Sequence, residues 1–299
     1  MKGKFPISGT FIDEITYDIP CSNWTKEQWI ADIDNMREVG IDTLIFIRGG
    51  FKGRTIYPSE HFYFYGSYDF LDFILQEADK RDMKVFVGLY ISNLTWNDGN
   101  YREELKQNRL FIDEVYEKYK NHKSFYGWYL PHEVESNLLN ICPLTKGLAL
   151  MCKEKDASKK ILMSPFFRND ENGLKEFSIE RLYNEWDYMF SKFGKLIDYC
   201  AFQDGSAKFS SMVGYFAKME EVCKKYDIEL WANTETFERD VRKQFYPIPF
   251  DLLRAKIDML TPYVKKFITF EFSHFLSPQS IYLSARNLNN LYKDYYGNK

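Results

Sequence analysis

The chain has 299 residues and no Gly-, Pro- or Ser-rich run that would mark a linker, so we expect one domain over residues 1–299. Hydrophobic side chains make up 45% of it, enough for a sizeable core, and 40 basic against 43 acidic residues leave a formal charge of −3 without the positive footprint a nucleic-acid partner needs. No apolar run is long enough to span a bilayer and no signal-like segment precedes the first strand, so no membrane partner is expected; the expected location is the cytoplasm as written, or an exported one if the N-terminus was trimmed.

Short β-branched or aromatic runs alternate with longer helical patterns along the whole chain. The first strand spans about Ile7 to Ile12. Its helix, about Thr25 to Val39, carries Trp29, Ile33 and Met36 at helical spacing and ends at Gly40. A second strand from Asp42 to Arg48 leads through a long aromatic loop to a helix near Tyr68 to Arg81. A third, Lys84 to Tyr90, precedes a helix over Tyr101 to Lys120. The fourth, Phe125 to Leu130, precedes a helix near Asn137 to Glu154. Strands five to eight are Lys160–Ser164, Ile197–Gln203, Glu229–Thr234 and Phe267–Glu271, with helices near Ile179–Leu196, Ser210–Tyr226, Pro249–Tyr263 and Gln279–Tyr295.

Each strand reads as apolar on both faces, the habit of parallel sheets, and eight strand–helix units close most naturally into a single (β/α)8 TIM barrel. An open doubly wound sheet competes, but the first strand-to-helix turn has no glycine-rich phosphate fingerprint and no P-loop occurs elsewhere. The five cysteines, Cys21, Cys142, Cys152, Cys200 and Cys223, show no CxxC pairing and read as buried free thiols.

A barrel builds its site at the carboxyl ends of its strands. Strand 4 ends in Pro131-His132-Glu133, strand 6 in Gln203-Asp204, strand 7 in Asn233-Thr234-Glu235 and strand 8 in Glu271-Phe272-Ser273-His274; strands 2 and 3 end in Arg48 and Tyr90. Side chains two apart share a face, so Trp231, Asn233 and Glu235 share one face of strand 7. By the same rule Thr269 and Glu271 oppose Ile268 and Phe270 on strand 8, and both carboxylates are expected to point to the barrel mouth. Glu133 and Glu235 each end an apolar strand, where an unpaired buried carboxylate is costly without a use. Glu271 reads equally as a substrate contact or an ion-pair partner of Arg48, whereas Glu135, Asp170 and Glu238 fit helix caps or solvated loop charges.

The segments Gly127–Glu133, Ala201–Gly205, Trp231–Phe237 and Phe270–Pro278 resemble a family of functionally uncharacterised bacterial barrels, common in gut Bacteroidetes, that are grouped with glycoside hydrolases. The layout is also distantly similar to the clan A retaining glycosidases, which carry an acid/base glutamate at the end of strand 4 and a nucleophile at the end of strand 7. That resemblance implies hydrolysis of a glycosidic bond in an oligosaccharide or polysaccharide, with Glu133 as acid/base and Glu235 as nucleophile. Two positions depart from the pattern: His132 stands where clan A has Asn, and Phe272 where it has a late Trp on strand 8.

Sugars present many hydroxyls that need partners once desolvated. Arg48, Tyr90, Gln203, Asp204, Asn233 and Glu271 are candidate contacts, with His132, Trp231 and His274 beside them. Trp96 is a candidate platform for a pyranose face, as are Tyr57 and Tyr63. No cofactor is expected. Two other readings remain: a metal-dependent sugar isomerase or epimerase using Glu133, Asp204, Glu235, Glu271 and His274, and a non-catalytic saccharide-binding barrel.

Overall fold

The computed structural model describes residues 5–16, 23–92, 101–135, 141–167, 178–205, 207–240, 242 and 244–297. The barrel strands are β1 (Ile7–Ile12), β2 (Thr43–Phe46), β3 (Lys84–Gly88), β4 (Phe125–Leu130), β5 (Lys160–Met163), β6 (Tyr199–Gln203), β7 (Glu229–Asn233) and β8 (Lys266–Thr269). All pair in parallel in chain order, and β8 closes on β1 through Ile7–Phe267, Gly9–Ile268 and Thr10–Thr269. Around them run α1 (Lys26–Glu38), α2 (Phe70–Lys80), α3 (Tyr101–Tyr119), α4 (Cys142–Lys155), α5 (Ile179–Phe193), α6 (Met212–Lys225), α7 (Phe250–Leu260) and α8 (Leu283–Gly297).

Local chemistry starts these helices where the sequence places them. Thr25 caps α1 with a reciprocal capping box to Gln28, and Asp69 accepts from the Asp72 N–H at the start of α2. Gly40 takes φ +82° just past α1, a left-handed turn suited to a residue without Cβ.

Two apolar layers fill the molecule. Phe11, Ile45, Ile47, Phe86, Tyr129, Leu162, Ala201, Trp231 and Ile268 fill the barrel lumen. The larger cluster lies between barrel and helices and includes Ile12, Phe46, Trp128, Met163, Phe202, Ala232 and Phe267. Successive residues of one strand thus feed different layers, and both are buried. The four described cysteines are buried free thiols. Among the described residues no helix is long and apolar enough to cross a membrane.

Strands 2, 5 and 7 stop one or two residues short of their expected ends, at Phe46, Met163 and Asn233, and strands 3 and 8 depart further. Strand 3 leaves the barrel at Gly88, and Tyr90–Ile91 instead pairs with Gly50–Phe51. The long loop after β2 therefore carries structure of its own, a four-stranded sheet of Gly50–Phe51, Arg54–Thr55, Tyr63–Phe64 and Tyr90–Ile91. Strand 8 stops at Thr269, before a cis peptide between Phe270 and Glu271 and a short helix over Phe272–Phe275.

Candidate active site

Continuing the lumen parity past the strand ends gives the wall of a cleft. Phe11 leads to Asp13 on β1, Tyr129 to Glu133 on β4, Ala201 to Gln203 on β6, Trp231 to Asn233 and Glu235 on β7, and Ile268 to Phe270 on β8. All these continuations line one cleft of about 240 Å³ at the carboxyl face, together with Thr16, Ile47, Arg48, Phe237, Arg239 and Phe245. The antiparallel pair Phe237–Arg239 and Phe245–Pro247 forms one side of it.

Glu133 opens onto the cleft, and its Oε1 accepts from Nε2 of Gln203 at 3.1 Å. Desolvation by the surrounding protein raises its pKa, while Arg48, the Gln203 bond and Arg239 pull the other way. Glu235 is only 6% exposed. Its carboxyl is pushed up to about 8, first by desolvation and then by the charge of Asp204, with Arg239 and Lys256 opposing and Glu133 adding a smaller push upward.

The support behind Glu235 is a buried charge cluster. Asp204, at the outer parity of β6, accepts from the Glu235 N–H at 3.1 Å and lies 3.2 Å from Nζ of Lys256 on α7. Arg239 lies 3.7 Å from Oε1 of Glu235 on the cleft side. Gly205 runs directly against the Glu235 carboxylate, so that a β-carbon there would overlap it. Asn233 donates to Ser164 Oγ at 3.0 Å, and its buried Oδ1 has no protein partner among the described residues. Arg48 stacks its guanidinium 4.9 Å over Phe51, and its buried Nε likewise has no partner among the described residues.

Of the sequence-derived site residues, Arg48, Glu133, Gln203, Asn233 and Glu235 come together in this cleft, with Asp204 directly beneath. Others do not reach it. Tyr90 is 3% exposed, stacks on Phe62 at 4.5 Å and accepts from the Gly53 N–H, because the chain has left the barrel at Gly88. His132 turns to α3, where its Nε2 meets Glu104 at 2.8 Å in a buried pair. Trp231 occupies the lumen below the mouth, stacked on Tyr199 at 4.5 Å and donating to Glu229 at the start of β7.

Strand 8 reverses the expected faces. Ile268 and Phe270 point inward, and Thr269 and Glu271 point outward. Thr269 donates to the Thr234 carbonyl at 2.7 Å, and Glu271 is fully buried 3.6 Å from Nε2 of His274. His274 is itself 3% exposed, and burial lowers its pKa to about 3. The aromatic side chain that strand 8 gives to the cleft is Phe270, while Phe272 belongs to the outer core. Trp96 lies outside the described residues. Of the proposed aromatic platforms, Tyr57 is buried with its hydroxyl on Glu114 at 2.9 Å, and Tyr63 is 72% exposed away from the cleft.

Sequence reasoning missed Asp13, Gly205, Phe237, Arg239, Phe245, Lys256 and Phe270. Gly205 adjoins the Gln203-Asp204 pair and Phe270 follows from strand alternation, so both carried a signal. Lys256 lies mid-helix, and nothing in its local pattern distinguishes it from a solvated lysine. The carboxylates of the metal reading diverge, with Glu271 outside the barrel wall and Asp204 paired to Lys256; no group of three or more His, Cys, Asp or Glu among the described residues is arranged to hold an ion.

This architecture is a TIM barrel, a closed ring of eight parallel strands with helices around it. The chain belongs to the family described as Domain of unknown function (DUF4434), which matches residues 7–282. It is 35% identical to a Bacteroides thetaiotaomicron protein of known crystal structure named "putative alpha-L-fucosidase", over 99% of this chain and 94% of that one, with a TM-score of 0.92. More remote fold matches include an intracellular xylanase from Thermoanaerobacterium saccharolyticum, 15% identical over 89% of this chain and 85% of that one, with a TM-score of 0.54. A β-galactosidase from Marinomonas ef1 is 11% identical over 97% of this chain and 59% of that one, with a TM-score of 0.61. A comparison with functionally curated proteins found no match.

Proposed function

We propose that the protein hydrolyses a glycosidic bond using Glu133 and Glu235, with retention of configuration. The observation that carries this reading is that two glutamates from β4 and β7 line one cleft, among donors and acceptors suited to sugar hydroxyls. Glu133 protonates the leaving oxygen and later activates water; Glu235 attacks the anomeric carbon and leaves when that water completes the displacement.

The electrostatics of the cleft add a condition. Burial raises both carboxyls, so the two glutamates tend to hold a proton between them, and the forward reaction needs that proton on Glu133. A sugar hydroxyl donating to Glu235, added to the Arg239 guanidinium at 3.7 Å, stabilises the Glu235 anion and leaves the proton on Glu133. Arg48, Gln203 and Asn233 hold the ring hydroxyls, and Phe270 and Phe237 form apolar walls against the ring.

The test is a panel of aryl glycosides and plant and host glycans, with fucosides included because of the name carried by the Bacteroides protein. Glu133→Gln and Glu235→Gln should each abolish release of reducing ends while the protein remains folded. Azide added to Glu133→Ala and Glu235→Ala separates the roles, since it yields a glycosyl azide of opposite anomeric configuration only where the nucleophile is missing. Proton NMR of the first-formed anomer tests retention. Full activity in either glutamine variant overturns the proposal.

A further inference from the structure

A second depression borders the catalytic cleft. Thr16 lines the cleft and also lines this second, larger depression of about 420 Å³, so the two adjoin at one side chain. The second depression is walled by Trp24, Tyr65 and Tyr68, with Glu14 and Arg54 among the aromatic side chains.

These rings are held in place. Tyr65 is 50% exposed, yet its N–H donates to the Thr55 carbonyl at 2.8 Å in the small sheet after β2. The Arg54 guanidinium lies 4.7 Å over its ring and donates to the Ile15 carbonyl at 3.3 Å. Tyr68 carries the Lys26 ammonium 4.5 Å over its face, and Trp24 meets the buried Trp29 ring edge-on at 5.2 Å. A half-exposed ring fixed by backbone and guanidinium costs little entropy to present to a ligand.

We propose that this depression is a distal saccharide subsite, so that the substrate is an oligosaccharide with one sugar unit in the catalytic cleft and further units over Tyr65 and Trp24. The inference rests on the glycosidase reading of the cleft. Three observations favour a sugar chain as occupant. The depression adjoins the cleft through Thr16. Its rings suit the C–H faces of pyranoses, and the carboxylate and guanidinium beside them suit equatorial hydroxyls. The 240 Å³ cleft also falls below the roughly 300–1,000 Å³ of a typical ligand pocket, whereas the two spaces together lie inside that range.

The experiment uses Glu133→Gln, whose inactivity keeps glycans intact, on an array of plant and host oligosaccharides of increasing length with the matching monosaccharides. Captured glycans are then titrated against Glu133→Gln carrying Tyr65→Ala, Tyr65→Phe or Arg54→Met. Tyr65→Ala should weaken tri- and tetrasaccharides about tenfold more than the monosaccharide, and Tyr65→Phe should restore most of that loss. An equal effect at every chain length, no effect on the longer glycans, or capture of no oligosaccharide overturns the subsite. Full activity of Glu133→Gln or Glu235→Gln in the hydrolysis assay overturns the reading of the cleft instead, so the two failures are distinguishable.

Discussion

The main-chain N–H of Glu235 donates to Oδ1 of Asp204 at 3.1 Å, and this contact fixes both where the Glu235 carboxyl stands and which charge lies under it. Asp204→Asn keeps an oxygen for that bond and removes the charge. The Glu235 pKa should then fall below the wild-type value of about 8, because the second-largest cause of its elevation is gone. Carbon-13 NMR of labelled glutamate carboxyls across pH 5–10 reads this directly; an unchanged titration would show that Asp204 acts through geometry alone.

Glu235 also makes stability depend on pH. Unfolded, it titrates near the ordinary 4.5, and folded near 8. Between these values the native state holds the extra proton, so stability contributed by the protonated carboxyl is lost as pH rises, at up to about 1.4 kcal/mol per pH unit. Glu235→Gln cannot titrate. Its melting temperature should match wild type near pH 5 and exceed it by several degrees near pH 9, which thermal scans across that range would check.

Lys256 reaches from α7 to Asp204 at 3.2 Å with both side chains almost fully buried. Removing the cation strands a buried carboxylate, so Lys256→Met should cost about 3–5 kcal/mol in urea unfolding. Adding Asp204→Asn should recover part of that loss, and a double-mutant cycle measures the coupling. Additive losses would mean that the pair does not act as a unit.

Gly205 touches the Glu235 carboxylate so closely that a methyl group displaces it. Under the mechanism proposed above, Gly205→Ala should lower turnover by about a hundredfold or more by misplacing Glu235, with a melting temperature near that of wild type. Unimpaired turnover would show that the loop gives way rather than the glutamate.

Asp32 on α1 is fully buried and accepts from Ser273 at 2.7 Å, from Ser277 and, more weakly, from Gln279 at 3.4 Å, tying the segment after β8 to the first helix. Burial raises its pKa to about 6 against those donors. Asp32→Ala leaves buried hydroxyls without an acceptor and should destabilise the protein by about 1–3 kcal/mol in urea at pH 7.

The barrel was readable along the chain because each strand is a short apolar run and each helix has its own period and stop signals. β1 and β4 begin and end where their sequences predict, as Ile7–Ile12 and Phe125–Leu130. The positions of Glu133 and Glu235 were readable for the same reason: each follows a lumen residue at an even spacing, Tyr129 and Trp231. Alternation alone could not decide which face of β8 is the lumen. Ile268 and Phe267 are both apolar and both buried, one in each layer, so a strand covered on both sides carries no polarity contrast to orient it.

Parity read from the sequence alone accordingly places Glu271 at the mouth, whereas it lies behind the wall and Phe270 lines the cleft. Tyr90 and His132 failed for a different reason. Both stand at strand ends, but where the chain turns next depends on partners distant in sequence, Gly50 for the Tyr90 strand and Glu104 for His132.

By itself the sequence determined the eight-unit barrel and the two strand ends that deliver Glu133 and Glu235, because local periodicity and strand parity encode both. Only the tertiary structure decided what surrounds those carboxyls. Asp204, Lys256, Gly205 and Arg239 act on Glu235 through space, and burial and Coulomb interaction depend on distances that residue order does not contain.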